Sequence, residues 1–349
     1  MNQPPPSVQP PAVPARRSTF FHGCVILTLI LLLGLSVVAN IGLLVACVAK
    51  TGLGSIGGER SGRKFTEEFV KGSGFKKVVQ IDVTGIISFE RSGSLFIDEE
   101  GLASRVIREI DQAQDDPNVI AILLMVDSPG GGVTASDVIY EKLVAFKQSG
   151  IGGRKVVALM RDLAASGGYY ISAAGDKIVA HRTTITGSIG VLISMANFKG
   201  LGDKIGIKDV TIKSGKNKDM LNPLREPTAE ETNILQAAVM DMYDRFVSVV
   251  SRSRGMEAAK VRPLADGRIY TATQALDLNL IDEIGSHDTA LDTLRTLTGE
   301  KKFKLVKYRV SYSLSDLFSS QLASRPVISL PDRWRAEAPQ FMYLWQPEL

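Results

Sequence analysis

Residues 119–132 read VIAILLMVDSPGGG. The apolar run from Val119 to Val126 has no polar alternation. That pattern fits a strand covered on both faces, as in a parallel sheet under helices, because a strand with one wet face alternates. The run stops at Asp127-Ser128-Pro129 and three glycines, a turn signal. Working outward, Ile139, Leu143 and Phe146 recur at helical spacing, and residues 155–160 are strand-like again. Upstream, residues 77–83 are rich in valine and read as a strand, while residues 98–114 place Leu102, Val106, Ile110 and Ala113 along one helical face. Strand, helix and strand in alternation predict an α/β domain of right-handed βαβ units.

The chemistry concentrates in residues 161–193 (RDLAASGGYYISAAGDKIVAHRTTITGSIGVLI). Ser166 stands directly before Gly167 and Gly168 and an apolar run, as a nucleophile at the start of a buried helix would. A second Gly-flanked hydroxyl, Ser188, follows. A serine hydroxyl needs a base to take its proton. Of the three histidines (His22, His181 and His287), only His181 is a plausible base, and no aspartate sits in a motif that would orient it. A lysine of lowered pKa is the other option. Lys213, Lys216 and Lys218 cluster after the strand-like KDVTIK of residues 208–213. Backbone amides to hold a developing oxyanion are on offer at the Gly130–Gly132 turn and at Gly167, where a helix N-terminus adds its positive end.

Composition removes several classes. A formal charge of +4 with no basic patch interleaved with aromatics argues against nucleic acid. The two cysteines, Cys24 and Cys47, lie in or beside the first apolar segment, so a disulfide framework or thiolate metal site is unavailable to the rest of the chain. Too few histidines remain for a histidine-rich metal site, and the glycine turn is neither G-x-G-x-x-G nor a P-loop, so no metal or cofactor is expected.

The chain divides by composition. Residues 1–19 read as a disordered Pro-rich cytoplasmic tail, and 20–49, uncharged throughout, as a transmembrane signal anchor. Leu44–Cys47 also looks like a lipoprotein processing site, which the sequence leaves open. Residues 50–74 read as a Gly/Ser-rich linker, 75–300 as the catalytic domain and 301–349 as a C-terminal extension. Within the domain, Thr228 to Glu231 form a capping box that opens a helix bearing Leu235, Ala238, Met242, Phe246 and Val249. Residues 266–268 read as a turn, 273–278 as a short helix stopped at Asn279, and 303–310 as a strand. The aromatic end (Phe341, Met342, Tyr343, Leu344, Trp345) looks exposed, and the sequence leaves open whether it packs on the body, touches a bilayer or lies in a cleft.

Taken together, D-S-P-G-G-G, A-S-G-G-Y-Y, T-G-S-I-G-V and S-G-x-x-K-D, in that order, closely resemble the signal peptide peptidase A family of bacterial membrane-anchored Ser–Lys proteases, over residues 75–290. The resemblance implies a Clp protease/crotonase-like spiral of ββα units behind one N-terminal transmembrane helix. It implies Ser166 as nucleophile, Lys218 as general base, Ser188 as the hydroxyl that orients the lysine, and Gly131 with Gly167 as the oxyanion hole. It also implies a homo-oligomeric ring in which a neighbouring subunit can supply the lysine. Cleaved signal peptides and other hydrophobic peptides are the implied substrates, on the extracytoplasmic side of a bacterial plasma membrane. A related protease acting on membrane or cell-surface proteins, and a crotonase-like acyl-CoA enzyme, are the alternatives.

Overall fold

The computed structural model describes residues 19–50, 65–94, 97–150, 152–310 and 341–345. The chain divides into two units, Met1–Gly62 and Arg63–Leu349. The Pro-rich stretch 1–15, residues 51–64 and the side chain of Cys47 lie outside the described residues.

The first unit holds the helix α1 (Thr19–Lys50). Its segment Ile26–Leu43 has a mean hydropathy of 2.5 and buries none of its surface in protein. At a rise of ~1.5 Å per residue such a segment approaches the ~30 Å hydrocarbon core of a bilayer. The Asn40 amide donates to the Ser36 carbonyl at 2.7 Å, so this polar group is satisfied within the helix, as lipid requires. α1 is therefore long and apolar enough to cross a membrane.

The second unit is built on one sheet. In chain order come β1 (Phe65–Gly72), β2 (Lys77–Thr84), the small hairpin β3 (Ser92–Ser94) and β4 (Ile97–Glu99), and α2 (Leu102–Asp115). β5 (Val119–Ser128), β6 (Gly130–Gly132), α3 (Val133–Gln148), β7 (Lys155–Ala165), α4 (Gly167–Ser172), β8 (Lys177–Ala180) and β9 (Ile185–Gly187) form its centre. Then follow α5 (Lys199–Ile205), α6 (Ala229–Arg254), α7 (Ala258–Val261), β10 (Ile269–Thr271), α8 (Ala272–Asp277), β11 (Glu283–Ile284), α9 (His287–Thr298), β12 (Lys304–Val310) and β13 (Met342–Leu344). The main path of the sheet runs β1-β12-β2-β5-β7-β8-β11, parallel from β12 to β11 and antiparallel where β1 joins its edge; β9 pairs parallel with the end of β7, and β10 joins β9 antiparallel. β5 lies between β2 and β7 with Ala121 to Val126 buried, so the unbroken apolar run does face packing on both sides. Val106 and Ile110 of α2 and Ile139, Leu143 and Phe146 of α3 cover one face, and Leu291 and Leu294 of α9 cover the other. Each such side chain contributes roughly 1.5–3 kcal/mol by leaving water. The expected α/β class is what forms.

Three segments differ from the sequence reading. Phe65–Gly72, within the stretch read as linker, is an edge strand, because its Phe65 stacks on Tyr308 and its Glu68 pairs with Arg309 across β12. The helix read from residue 98 starts at Leu102, since Ile97–Glu99 instead close a hairpin with β3 and Gly101 supplies the N-cap. Residues 208–213 form no strand. Among the described residues no neighbouring strand supplies them with ladder partners, and Val210 and Ile212 stand 85% and 98% exposed.

Candidate active site

β7 runs past Met160 to Ala165 because β9 pairs with its end, Ala165 lying opposite Gly187. The chain then turns sharply into α4, and Ser166 is the turn residue, with φ 53° and ψ −114°. A side chain bearing a Cβ is held in such a region at a cost of roughly 1–3 kcal/mol, and only where the surroundings fix it. Here they do. The Ser166 amide donates to the Gly187 carbonyl at 2.8 Å, and its carbonyl accepts from the Tyr170 amide at 2.8 Å. Ser166 is 1% exposed.

Ser188 follows Gly187 directly, so the same pairing puts the two serines at adjoining strand ends. It too has positive φ (48°), and its amide donates to the Arg268 carbonyl at 2.8 Å. Ser188 lines a cleft of about 600 Å³ together with Val191, Met240, Tyr243, Asp266 and Trp345.

The glycine turn meets this site from the other side. The Ser128 hydroxyl donates to the Gly85 carbonyl at 2.6 Å and accepts from the Gly130 amide at 3.0 Å, which fixes the turn after β5. Ile87 then brackets the turn, accepting from the Gly132 amide and donating to the Gly130 carbonyl, both at 2.9 Å. Gly130 has φ 103°, and a Cβ on it would lie 2.6 Å from the Gly167 nitrogen. A Cβ on Gly167 would lie 3.1 Å from the Gly131 nitrogen. The two turns therefore approach as only glycines allow, with the Gly131 and Gly167 amides beside each other near Ser166.

Lys218 is elsewhere. It is exposed in the loop between α5 and α6, and among the described residues no hydrogen bond or ion pair engages its ammonium or joins it to Ser166 or Ser188. Its neighbours are tied down. Asp219 bonds Lys213 at 2.6 Å and Arg225 at 2.9 Å, and Lys216 bonds Glu230 at 2.7 Å. The Arg225 guanidinium, then Lys213, holds the Asp219 carboxyl well below the usual carboxylate range. One chain thus brings together Ser166, Ser188, Gly131 and Gly167, and among the described residues no side-chain bond ties the exposed Lys218 to them. His181 directly follows β8, and no hydrogen bond links its ring to Ser166 among the described residues.

Of the places the sequence leaves open for the aromatic end, it packs on the body, and Tyr343 is 0% exposed. β13 lies antiparallel to β6, Tyr343 opposite Gly131, and on its other side Met342 exchanges two backbone hydrogen bonds with Leu192, at 3.0 and 3.1 Å. The Tyr343 ring stacks on Tyr170 at 4.9 Å and touches Phe246 at 4.7 Å, and its hydroxyl donates to the Met242 carbonyl at 3.0 Å. The signal for this pocket was the pair of tyrosines after Ser166-Gly-Gly. They read as helix core, and Tyr170 is core and pocket wall at once.

The sequence model of Peptidase family S49 matches residues 147–301, which include Ser166, Ser188 and Lys218. A protein of Enterococcus faecium described as "Putative signal peptide peptidase SppA" is 42% identical over 233 residues, 66% of this chain and 67% of that one. A "Putative protease" of Synechocystis sp. is 39% identical over 224 residues, 64% of this chain and 75% of that one. Among solved structures, a mutant ClpP1 from Listeria monocytogenes matches over 61% of this chain and 94% of its own at a TM-score of 0.40 and 16% identity, too loose a likeness to bear on chemistry. The family match spans the serine turn and the lysine loop, the relatives extend it over about two thirds of the chain, and the chain belongs to peptidase family S49.

Proposed function

We propose that the chain is a membrane-anchored serine endopeptidase that degrades cleaved signal peptides in or near the bilayer, with Ser166 as nucleophile and Lys218 as general base. The observation that carries this reading is the convergence of the Gly131 and Gly167 amides on a buried, conformationally strained Ser166. Lys218, the base of this reading, takes the Ser166 hydroxyl proton as the oxygen attacks the scissile carbonyl. The two amides hold the oxyanion. The lysine returns the proton to the leaving amine, and a water molecule then repeats the cycle on the acyl-enzyme. Ser188, at the strand end beside Ser166, orients the lysine.

In this reading the lysine comes from a second copy of the chain in a homo-oligomeric ring. Two observations support that. Lys218 is exposed and not bonded to Ser166 among the described residues, and Leu201, Ile205, Ile207, Val210 and Ile212 are exposed apolar side chains on the segment leading to it. The cleft beside Ser188 has room for an incoming side chain. α1 would serve as a signal anchor, with the second unit on the extracytoplasmic side of a bacterial plasma membrane.

The test is peptide hydrolysis by purified full-length protein in detergent. Ser166→Ala and Lys218→Ala should each lower the rate by at least ~10³-fold, as loss of a nucleophile or base does, with circular dichroism unchanged. Retained hydrolysis in Lys218→Ala would sink the lysine assignment.

A further inference from the structure

The loop that carries Lys218 has a strained backbone held by one side chain. Among the described residues four non-glycine residues have positive φ: Ser166, Ser188, Leu221 and Asn279. The two serines belong to the site described above, and Asn279 ends the segment of α8. Leu221, at φ 65°, lies three residues after Lys218. A leucine keeps that backbone only where its surroundings impose it. The Asn222 amide donates to the Asp219 carbonyl at 3.2 Å and closes the turn around Leu221. Arg225 donates to the same carbonyl at 2.9 Å and to both oxygens of the Asp219 carboxylate, at 2.9 and 3.0 Å. Its guanidinium also donates to the Glu226 carbonyl at 3.1 Å and to both oxygens of the Glu231 carboxylate, one of them at 2.8 Å. All five of its N–H donors are engaged.

Glu231 is the fixed end of this clamp. It is buried, and it accepts from the Thr228 amide at 2.8 Å in the capping box that starts α6. α6 packs into the domain through Phe246, Val249 and Val250, and Phe246 meets Tyr170 of α4, the helix that follows Ser166, at 4.9 Å. The guanidinium thus joins the turn after Lys218 to an element rooted in the core. The Lys216–Glu230 pair, exposed on both sides, holds little by comparison. Resting on the protease reading, we propose that Arg225 is the positioning residue for the base: it clamps the Lys218 loop to α6 and so fixes where the lysine is presented. Arg225 touches no reacting atom, and its effect runs through Lys218. A lysine offered to another copy's serine has to be ordered by its own chain, because ordering it only on arrival would oppose the reaction by the entropy of the loop. The planar fork suits the task, since it bonds two carboxylates and a carbonyl at once, which an ammonium on a flexible stem does not.

The test is steady-state hydrolysis of a fluorogenic hydrophobic peptide by full-length protein in detergent. Arg225→Ala should lower kcat ~10²-fold, the effect of misplacing a catalytic group by about 1 Å. KM should stay within ~2-fold of the parent, because the serine, its amides and the substrate cleft are untouched. Circular dichroism and particle size should not change. Arg225 lines a cleft of about 410 Å³ with Lys213, Asn217 and Thr228, so a small cation can enter the space its side chain vacates. Guanidinium at ~10 mM, which pairs with carboxylates through the same fork, should raise the kcat of Arg225→Ala at least ~10-fold, and sodium chloride at that concentration should not. Arg225→Lys keeps the charge without the fork and should lose at least ~10-fold in kcat; it serves as the second variant should Arg225→Ala misfold. A parental kcat in both variants, a loss carried by KM alone, or a kcat that guanidinium leaves unmoved overturns the proposal. Lys218→Ala, measured alongside, separates the two readings. Inactive Lys218→Ala beside fully active Arg225 variants defeats the clamp and leaves the base, whereas active Lys218→Ala defeats the base and the clamp with it.

Discussion

Ser166 is 1% exposed and bonded through its backbone to two neighbouring segments, whereas Lys218 stands in an exposed loop downstream of Ile212, which is 98% exposed. The serine's surroundings are complete within one chain. β7, β9 and the glycine turn fix them, and Gly187, Tyr170 and Ile87 supply the bonds. The arm from α5 to α6 is organised locally by ion pairs among Lys213, Asp219, Arg225 and Glu231, but its apolar side chains face outward. The difference teaches where the fold positions a group by itself and where, in the assembly proposed above, it leaves a surface for a second copy to cover.

Ile212→Asp attacks the arm alone. A charge placed in a contact between copies is costly when buried. Activity should fall roughly 100-fold, equivalent to about 2.7 kcal/mol, and sedimentation should show smaller particles with unchanged helix content. Full activity in an intact assembly would mean that this face is not the contact. Gly130→Ala attacks the serine side alone. Its Cβ would collide with backbone, 1.9 Å from the Tyr343 oxygen and 2.6 Å from the Gly167 nitrogen, at a positive φ. Backbone strain of roughly 1–3 kcal/mol should lower the melting temperature and activity while leaving the particle size unchanged. A variant as stable and active as the parent would show that the two turns are not held in close approach.

Electrostatics sharpen the contrast with a smaller effect. Burial on α2 pushes the Glu109 carboxyl up to about 7, and Arg105, at 2.7 Å, offsets only part of that. In the arm, Arg225 holds Glu231 down at about 2, with the Thr228 amide adding to it. A carboxyl raised in the folded state stabilises most below its unfolded value near ~4.3, and that contribution is lost as pH rises through the folded value. Between pH 4.5 and 8 the parent should lose about 3 kcal/mol more stability than Glu109→Gln, measured by denaturant unfolding at both pH values. Identical pH slopes in the two proteins would contradict the assignment. A depressed carboxyl such as Glu231 works in the opposite sense, its contribution present above the unfolded value and lost as pH falls through about 2.

What the sequence made legible follows the same division. The run Val119–Val126 could be read as a doubly covered strand because all of it but the half-buried Ile120 is buried, and the Thr228 capping box because its bonds are local. Ser166, Ser188, Gly131 and Gly167 could be gathered because each stands in a short string that the fold brings to adjoining strand ends. β1 was hidden because its pairing with β12 spans most of the domain in sequence, and its Gly/Ser-rich approach read as linker. β13 was hidden for a related reason. A short aromatic segment reads as exposed until the pocket that takes Tyr343, made by α4 and α6, is known. Residues 208–213 have the composition of a strand, and composition says nothing about whether a partner is present.

The shared dyad is tested most directly by mixing. Ser166→Ala and Lys218→Ala proteins, each inactive alone, would be dissociated, combined in equal amounts and reassembled. If each site takes its serine from one copy and its lysine from another, about a quarter of the sites in random assemblies combine two intact groups, so peptide hydrolysis should return to roughly that fraction of the parent rate. Hydrolysis that stays at the level of the separate variants, in particles of parental size, would contradict the shared site and require Ser166 and Lys218 to meet within one chain.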